Sequence, residues 1–87
     1  MLKIHRTVNG EVILKISGRM DAENVADVKM SLESEVNGRR RVLDLQDLTL
    51  VDRDAVTFLA ECETDGVQLV NCPAYIREWI ARERAAR

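Results

Sequence analysis

The sequence contains little of the material from which most catalytic and metal sites are built. It has one histidine, two cysteines, one proline and one residue each of Trp, Tyr and Phe among 87 residues. Two cysteines are too few for a disulfide framework or a cysteine-rich zinc site, so we expect Cys62 and Cys72 to be buried, reduced thiols. The single histidine, His5, has no sequence neighbour that would orient it for acid–base chemistry. We therefore expect no metal site and no cofactor.

Long hydrophobic runs are also missing, so we expect no insertion into a membrane. The first ten residues, MLKIHRTVNG, lack the apolar segment of a signal peptide, and we expect a cytoplasmic protein. Thirteen Lys and Arg residues face 15 Asp and Glu residues, for a formal net charge of -2, which disfavours nucleic acid as a partner. A content of 46% hydrophobic and 32% charged residues is typical of a globular protein. We expect residues 1–87 to form a single domain with one core.

The first part of the sequence predicts a hairpin and then a helix. The segments LKIHRTV and EVILKISG alternate apolar and polar residues, as half-buried strands do. Asn9-Gly10 between them favours a tight turn, because glycine accepts a positive φ. Asp21 is the predicted N-cap of the helix that follows, and Asn37-Gly38 is its predicted end. The apolar residues of this helix recur every three or four positions: Val25, Val28, Leu32 and Val36.

The second part alternates strands and helices. The segment RRVLDLQDLTLVD is dense in apolar residues and predicts one strand covered on both faces. Asp52 is the predicted N-cap of a second helix, VQLVN is a predicted fourth strand, and Pro73 opens a third helix. The predicted inner face of that last helix consists of Tyr75, Ile76, Trp79 and Ile80. The fold class is therefore α/β, with a four-stranded, mixed, mostly parallel sheet and three helices in the order β-β-α-β-α-β-α.

Two predicted loops, SGRMDAEN and LTLVDRDA, lie at the same edge of this sheet, where strands end and helices begin. Each loop places an aspartate directly before a helix. Two helix N-termini side by side would present free N–H groups and positive dipole ends, which suit an anion such as a phosphate. The residues of this possible anion or nucleotide loop are Gly18, Arg19, Asp21 and Asn24.

These segments together resemble the STAS domain, the family of bacterial anti-sigma factor antagonists and of a related domain in sulfate transporters. GRMDAEN resembles the Gly-x-Leu-Asp loop that precedes the first helix in the family. RRVLDLQDLTLVD resembles the family's apolar strand, with its Leu-Asp-Leu step, short apolar hook and final Asp. The order and spacing of the elements match over essentially the whole chain.

The resemblance implies a regulatory module that switches partners. In the family, a partner that is both a serine kinase and an anti-sigma factor phosphorylates a serine after the aspartate of the second loop. By this resemblance Asp52 matches the aspartate, and Arg53 stands where the phosphorylated serine would be. Arginine can neither accept a phosphate nor mimic one, so we expect no phosphorylation at the family position. The nearest hydroxyl groups belong to Thr49 and Thr57, and the sequence leaves their modification open.

The resemblance also implies where a partner binds. The predicted contact is the exposed face of the second helix, and the predicted partner is an anti-sigma factor or serine kinase-like protein. Arg53 has two interpretations: an exposed side chain that pairs weakly with nearby carboxylates, or a planar donor aimed at a carboxylate on the partner. The predicted partner-binding residues are Asp52, Arg53, Asp54, Thr57 and Glu61.

Three alternatives remain open from the sequence. The chain could be the STAS subunit of an ABC transporter and bind its ATPase, or it could bind a nucleotide weakly through the first loop, without a P-loop. An enzyme or a magnesium site would need the carboxylates of the central segment, namely Asp44, Asp47, Asp52 and Asp54, but no nucleophile–base pair or metal-ligand spacing supports one. A homodimer is also compatible with the sequence.

Overall fold

The computed structural model describes residues 2–33 and 40–85 of the chain. This part contains five strands and three helices. The elements are β1 (Leu2–Val8), β2 (Val12–Met20), α1 (Ala22–Glu33), β3 (Arg41–Asp44), β4 (Leu48–Val51), α2 (Arg53–Thr64), β5 (Gln68–Val70) and α3 (Ala74–Ala85). The predicted end of the first helix at Asn37-Gly38, and its predicted apolar residue Val36, lie outside the described residues.

The strands form one mixed sheet, which is mostly parallel. Strand β1 pairs antiparallel with β2, and β2 pairs parallel with both β3 and β4. Strand β5 pairs parallel with β3, so the order across the sheet is β1-β2-β3-β5, with β4 beside β2. The predicted α/β class with three helices is confirmed. No helix in the described part of the chain is long and apolar enough to cross a membrane.

The sheet has five strands where the sequence predicted four, because the predicted third strand is divided in two. The N–H of Gln46 donates to Oδ1 of Asp44 at 3.1 Å, and the N–H of Leu48 donates to the carbonyl of Leu45 at 3.1 Å. These bonds form a turn between the two pieces. Strand β3 then pairs with the first half of β2 and β4 with its second half, so both pieces follow the same neighbour.

A one-residue bulge in β4 changes the direction of its side chains. Leu48 is paired with Gly18 and Leu50 with Arg19, so Thr49 is an extra residue without a partner in β2. An extra residue reverses the alternation of side chains between the two faces. Accordingly, Leu48 is buried at 3% exposure, whereas Leu50, two positions later, is 58% exposed.

The core lies on one face of the sheet. Leu14, Leu43 and Leu69 are neighbours across three strands, and they belong to the same buried cluster as Leu59 of α2 and Ile76 of α3. The side chains one position earlier in each strand form a second row, which points to the opposite face of the sheet. It lies outside that cluster and consists of Ile13, Val42 and Gln68. The described helices contact the first of these faces, and Val42 on the opposite face is also buried, at 4% exposure, so β3 is covered on both faces at Val42 and Leu43, as the sequence predicted.

Helix α3 packs against the core through three of the four residues of its predicted inner face. Ile76 and Ile80 are buried, and Trp79 is half-buried against the core cluster. Tyr75 is 46% exposed. Its hydroxyl donates to the carbonyl of Thr49 at 2.6 Å. The backbone carbonyl of the bulge residue is therefore bound by a side chain of α3.

Removal of a core side chain at the centre of the sheet should be costly. We expect Leu43→Ala to lower the free energy of unfolding by about 3 kcal/mol, because Leu43 is completely buried between Leu14 and Leu69 and truncation leaves a cavity. The control is Met30→Ala on α1, where the side chain is 69% exposed and the loss should stay within about 0.5 kcal/mol. Urea unfolding followed by circular dichroism measures both. Equal losses would contradict the placement of the core.

The two thiols should differ in reactivity. Cys62 is buried, and burial, reinforced by the negative charge of Asp65, raises the pKa of its thiol from 9.0 to about 12. Cys72 is half-buried, and burial also raises the pKa of its thiol. Since only the thiolate reacts, we expect iodoacetamide at pH 8 to label Cys72 slowly and to label Cys62 only after unfolding. Peptide mass spectrometry with and without urea measures this. Labelling of Cys62 first in the folded protein would contradict it.

Candidate functional site

The carboxylate of Asp52 connects the N-termini of two helices. Its Oδ1 accepts a hydrogen bond from the N–H of Ala55 in α2 at 2.9 Å, which confirms Asp52 as the N-cap of that helix. Its Oδ2 accepts a second bond from the N–H of Ala22, the first residue of α1, at 3.1 Å. The two helix N-termini therefore lie side by side, as the sequence predicted, and the anion between them is a side chain of the protein itself.

The first turn of α1 is capped by the side chains of both Asp21 and Asn24. Oδ1 of Asp21 accepts from the N–H groups of Glu23 and Asn24 at 3.0 and 3.3 Å. The N–H of Asp21 in turn donates to Oδ1 of Asn24 at 3.2 Å, which completes a reciprocal capping box. The first three N–H groups of α1 are thus bound to carboxylates. An external anion would have to displace one of them, and the predicted anion or nucleotide loop stays a prediction.

The other two residues of that predicted loop belong to β2, which continues through Met20. Gly18 has a φ of 95°, a conformation that favours glycine. Its N–H donates to the carbonyl of Asp47 at 3.0 Å, and its carbonyl accepts from Oγ1 of Thr49 at 2.8 Å. The side chain of Arg19 is exposed. Gly18 therefore ties the end of β2 to β4, directly before the two capped helices.

Arg53 is held by a residue that the sequence analysis did not consider. The Arg53 side chain is 79% exposed, and its Nε lies 3.3 Å from Oε1 of Glu83 near the end of α3. The Glu83 side chain is only 17% exposed. A signal was available in the sequence, because Glu83 follows the buried residues Ile76 and Ile80 at positions i+7 and i+3, on the inner stripe of the helix.

The remaining predicted partner-binding residues share one side of α2 with Arg53. Asp54 and Glu61 are exposed, and Thr57 is half-buried. Their spacing of three, four and seven residues places Asp54, Thr57 and Glu61 along one face of the helix. Asp54 also places a negative charge in the first turn, where it is favourable to the helix dipole. The structure thus brings the predicted residues onto one surface next to the two capped N-termini.

The carboxylates of the central segment do not form one cluster. Asp44 accepts hydrogen bonds from Gln46 and from Nδ2 of Asn71, and Asp47 lies 3.1 Å from Nζ of Lys15. Asp52 caps the two helices. Within residues 2–33 and 40–85, no three His, Cys, Asp or Glu side chains are placed together to hold a metal ion.

A cleft of about 140 Å³ lies toward the end of α2, where it meets the predicted binding surface at Glu61. Leu32, Phe58 and Val67 line it with apolar atoms, and Lys29 and Glu61 contribute charged groups. Glu61 is the one predicted partner-binding residue among those that line it. The cleft therefore does not coincide with the helix N-termini.

Comparison with known protein families agrees with this geometry. The sequence model of the STAS domain matches residues 2–81. The chain belongs to the STAS domain family. A comparison of this STAS domain with curated proteins found no match.

Solved structures show the same fold. The structure of Mglu superposes with a TM-score of 0.59 at 22% identity and covers 79% of this chain; the STAS domain described here spans 18% of the Mglu chain. An uncharacterized protein of the DUF3478 family with a SpoIIAA-like fold, from Shewanella loihica PV-4, superposes with a TM-score of 0.58 at 16% identity. That match covers 98% of this chain and 77% of the other. At such identities the likeness concerns the fold alone.

The double role of Asp52 predicts an unusually large effect on stability. We expect Asp52→Ala to cost about 2 kcal/mol, because one substitution removes a cap from each of two helices. The control is Asp54→Ala, which removes a neighbouring exposed carboxylate that caps neither helix and should cost about 0.5 kcal/mol or less. Urea unfolding of both variants measures the difference. A loss of only about 1 kcal/mol for Asp52→Ala would show that the second hydrogen bond contributes nothing, and losses equal to that of the control would show that neither cap contributes.

Proposed function

We propose that this STAS domain is a non-catalytic protein-interaction domain. Its partner is a regulatory protein of the serine kinase or anti-sigma factor type, and its contact surface is the exposed face of α2. The observation that carries the proposal is the position of Arg53, which projects into solvent at the start of α2, beside the junction that Asp52 forms. Membership of the family supports the partner class.

The arrangement supports binding without a phosphate switch. At the position where the family resemblance predicts a phosphorylated serine, this chain carries a guanidinium group. In the described structure the Arg53 side chain remains 79% exposed beside Glu83, so its guanidinium group is accessible to a partner. A guanidinium matches a carboxylate with two parallel hydrogen bonds, and the partner would supply that carboxylate.

The structural roles of the nearby carboxylates support a function without catalysis. Asp21 and Asp52 cap helices, Asp44 stabilises the turn between β3 and β4, and Asp47 pairs with Lys15. A general acid or base needs a position from which it reaches a substrate. Each of these four side chains already has a structural role in the described chain.

Affinity capture tests the proposed partner class. The tagged domain is incubated with lysate of its source organism, and the retained proteins are identified by mass spectrometry. A serine kinase or anti-sigma factor-like protein is the expected result. A transport ATPase would instead assign the chain to an ABC transporter complex, and the absence of any specific protein would contradict a role in protein interaction.

Arg53 provides the test at residue level. We expect Arg53→Ser to weaken binding of the captured partner about tenfold and Arg53→Glu to weaken it further. Thermal unfolding should change little, because an exposed ion pair contributes at most about 1 kcal/mol. Arg84→Ser is the matched control: Arg84 is also exposed and pairs with Glu63 at 3.7 Å, away from the start of α2. Calorimetric titration gives the affinities. Unchanged affinity in both Arg53 variants would reject the role of this side chain.

A further inference from the structure

Two exposed apolar side chains, Leu50 and Tyr75, and the half-buried Trp79 lie near the place where β4, α2 and α3 meet. Leu50 lies in β4, three residues before Arg53, and Tyr75 and Trp79 lie one turn apart on α3. The hydroxyl of Tyr75 reaches the residue next to Leu50, and Glu83, one turn beyond Trp79, reaches Arg53. We name this surface, formed by Leu50, Arg53, Tyr75 and Trp79, the β4–α3 corner.

The bulge at Thr49 directs Leu50, the aliphatic residue of the corner, out toward solvent. With regular alternation, Leu50 would point to the same face as Leu48 and would be buried. Because Thr49 is inserted, Leu50 points outward and is 58% exposed, while Val51 packs against the core. Bulges commonly re-aim side chains near functional sites. An exposed leucine beside a buried one is unfavourable for the free domain, and it becomes favourable when a partner covers it.

Two contacts hold the aromatic side chains in place. The 2.6 Å bond from the Tyr75 hydroxyl to the Thr49 carbonyl fixes the Tyr75 ring against β4, although Tyr75 is 46% exposed. Trp79 is half-buried and packs against the core cluster. Two of the three aromatic residues of the chain therefore lie at this corner. Rigid aromatic side chains lose little conformational entropy on binding, which is why Tyr and Trp dominate binding energy at interfaces.

Glu83 orients the charged group of the corner. It is 17% exposed and holds Nε of the 79% exposed Arg53, which draws Arg53 toward α3. With 79% of its side chain exposed, the guanidinium group of Arg53 remains accessible from solvent. Asp54, the next residue, projects about 100° further around α2, so it does not block the side that faces α3.

We propose that the β4–α3 corner is the anchor of the docking surface, and that it takes an acidic and apolar segment of a partner protein. A carboxylate of that segment binds the terminal amino groups of Arg53, and a neighbouring apolar side chain packs against Leu50, Tyr75 and Trp79. Glu83 is a positioning residue. This inference rests on the proposed function, since it names the chemistry of the partner surface, and it adds β4 and α3 to the predicted contact on α2.

The charge of the corner favours such a partner over a second copy of the chain. A twofold dimer centred on the corner would bring the same surface of both copies together. On the twofold axis two Arg53 side chains would approach each other, which is unfavourable, whereas away from the axis Arg53 would meet acidic residues such as Asp54 or Glu83 of the second copy, so the oligomeric state is measured as part of the test. An acidic segment instead supplies the opposite charge at this point.

Peptide titration of the ¹⁵N-labelled domain tests the inference without knowledge of the natural partner. The first probe is a synthetic ten-residue peptide in which Glu and Leu alternate, and the second carries Lys in place of Glu. We expect the Glu peptide to shift the Arg53 Nε–H, the Trp79 indole N–H and the Leu50 amide signals. The Lys peptide should bind roughly tenfold more weakly, because its charge is opposite. Equal effects of both peptides, or no shifts at the corner, would overturn the proposal.

Three variants separate positioning from structure. We expect Glu83→Gln to weaken binding of the Glu peptide roughly fivefold while thermal unfolding changes little, because Arg53 keeps its charge but loses its orientation. Leu50→Ser should abolish the shifts. Met30→Ser is the matched control, since Met30 is also an exposed apolar residue, at 69%, but lies on α1. If Met30→Ser weakens binding as much as Leu50→Ser does, the corner is not the site.

Three further outcomes are decisive. If sedimentation shows a dimer that Leu50→Ser disrupts, the occupant is a second copy and the proposal is wrong. If no protein is retained in affinity capture, the proposed function fails, whereas the peptide titration still tests binding at the β4–α3 corner. If Arg53→Ser releases a captured partner but Leu50→Ser and Glu83→Gln do not, the proposed function stands and the corner proposal fails.

Discussion

The hydrogen bonds of one carboxylate hold the functional edge of this domain together. Asp52 follows β4 directly, caps α2 and reaches across to the first N–H of α1, thirty positions away in the sequence. The side chain thereby joins the elements on which the predicted binding residues lie. A negative charge between two positive helix ends is favourable, and it also occupies the place that a free anion would take. The domain thus uses the junction of its helices as a support for the surface beside it.

Much of the fold follows from local signals in the sequence. Asp21 and Asp52 both precede apolar residues in helical spacing, and both are N-caps in the structure. Alternation in β1 and β2 predicts the hairpin, and strict alternation of strands and helices predicts the parallel sheet. The N-caps and the helical spacing depend on residues within a few positions of one another. These are the features that a single sequence reveals.

Other features depend on contacts that the sequence does not display. The second hydrogen bond of Asp52 and the pairing of Arg53 with Glu83 both join residues about thirty positions apart. The division between β3 and β4 depends on two polar residues, Gln46 and Asp47, within an apolar segment. The exposure of Leu50 depends on the bulge at Thr49. The composition of β4 does not reveal the bulge, because it is typical of a buried strand. The second bond of Asp52, the Arg53–Glu83 pair and the bulge depend on the register between distant elements, which a local pattern does not encode, whereas the turn between β3 and β4 is local but stands within an otherwise apolar segment.

The bulge at Thr49 has a consequence for how the chain tolerates insertion and deletion. Asp52 follows β4 without a linker, and α2 begins at the next residue. Loss of Thr49 would leave Leu48 and Leu50 adjacent and still paired with Gly18 and Arg19, so Leu50 would still point outward and Val51 would still point to the core. The bulge can therefore absorb the loss of one residue without moving the capping carboxylate, whereas the loss of a second residue would draw Asp52 away from Ala22. Related sequences that keep this double cap should accordingly have either three residues between Leu48 and Asp52, as this chain has, or two.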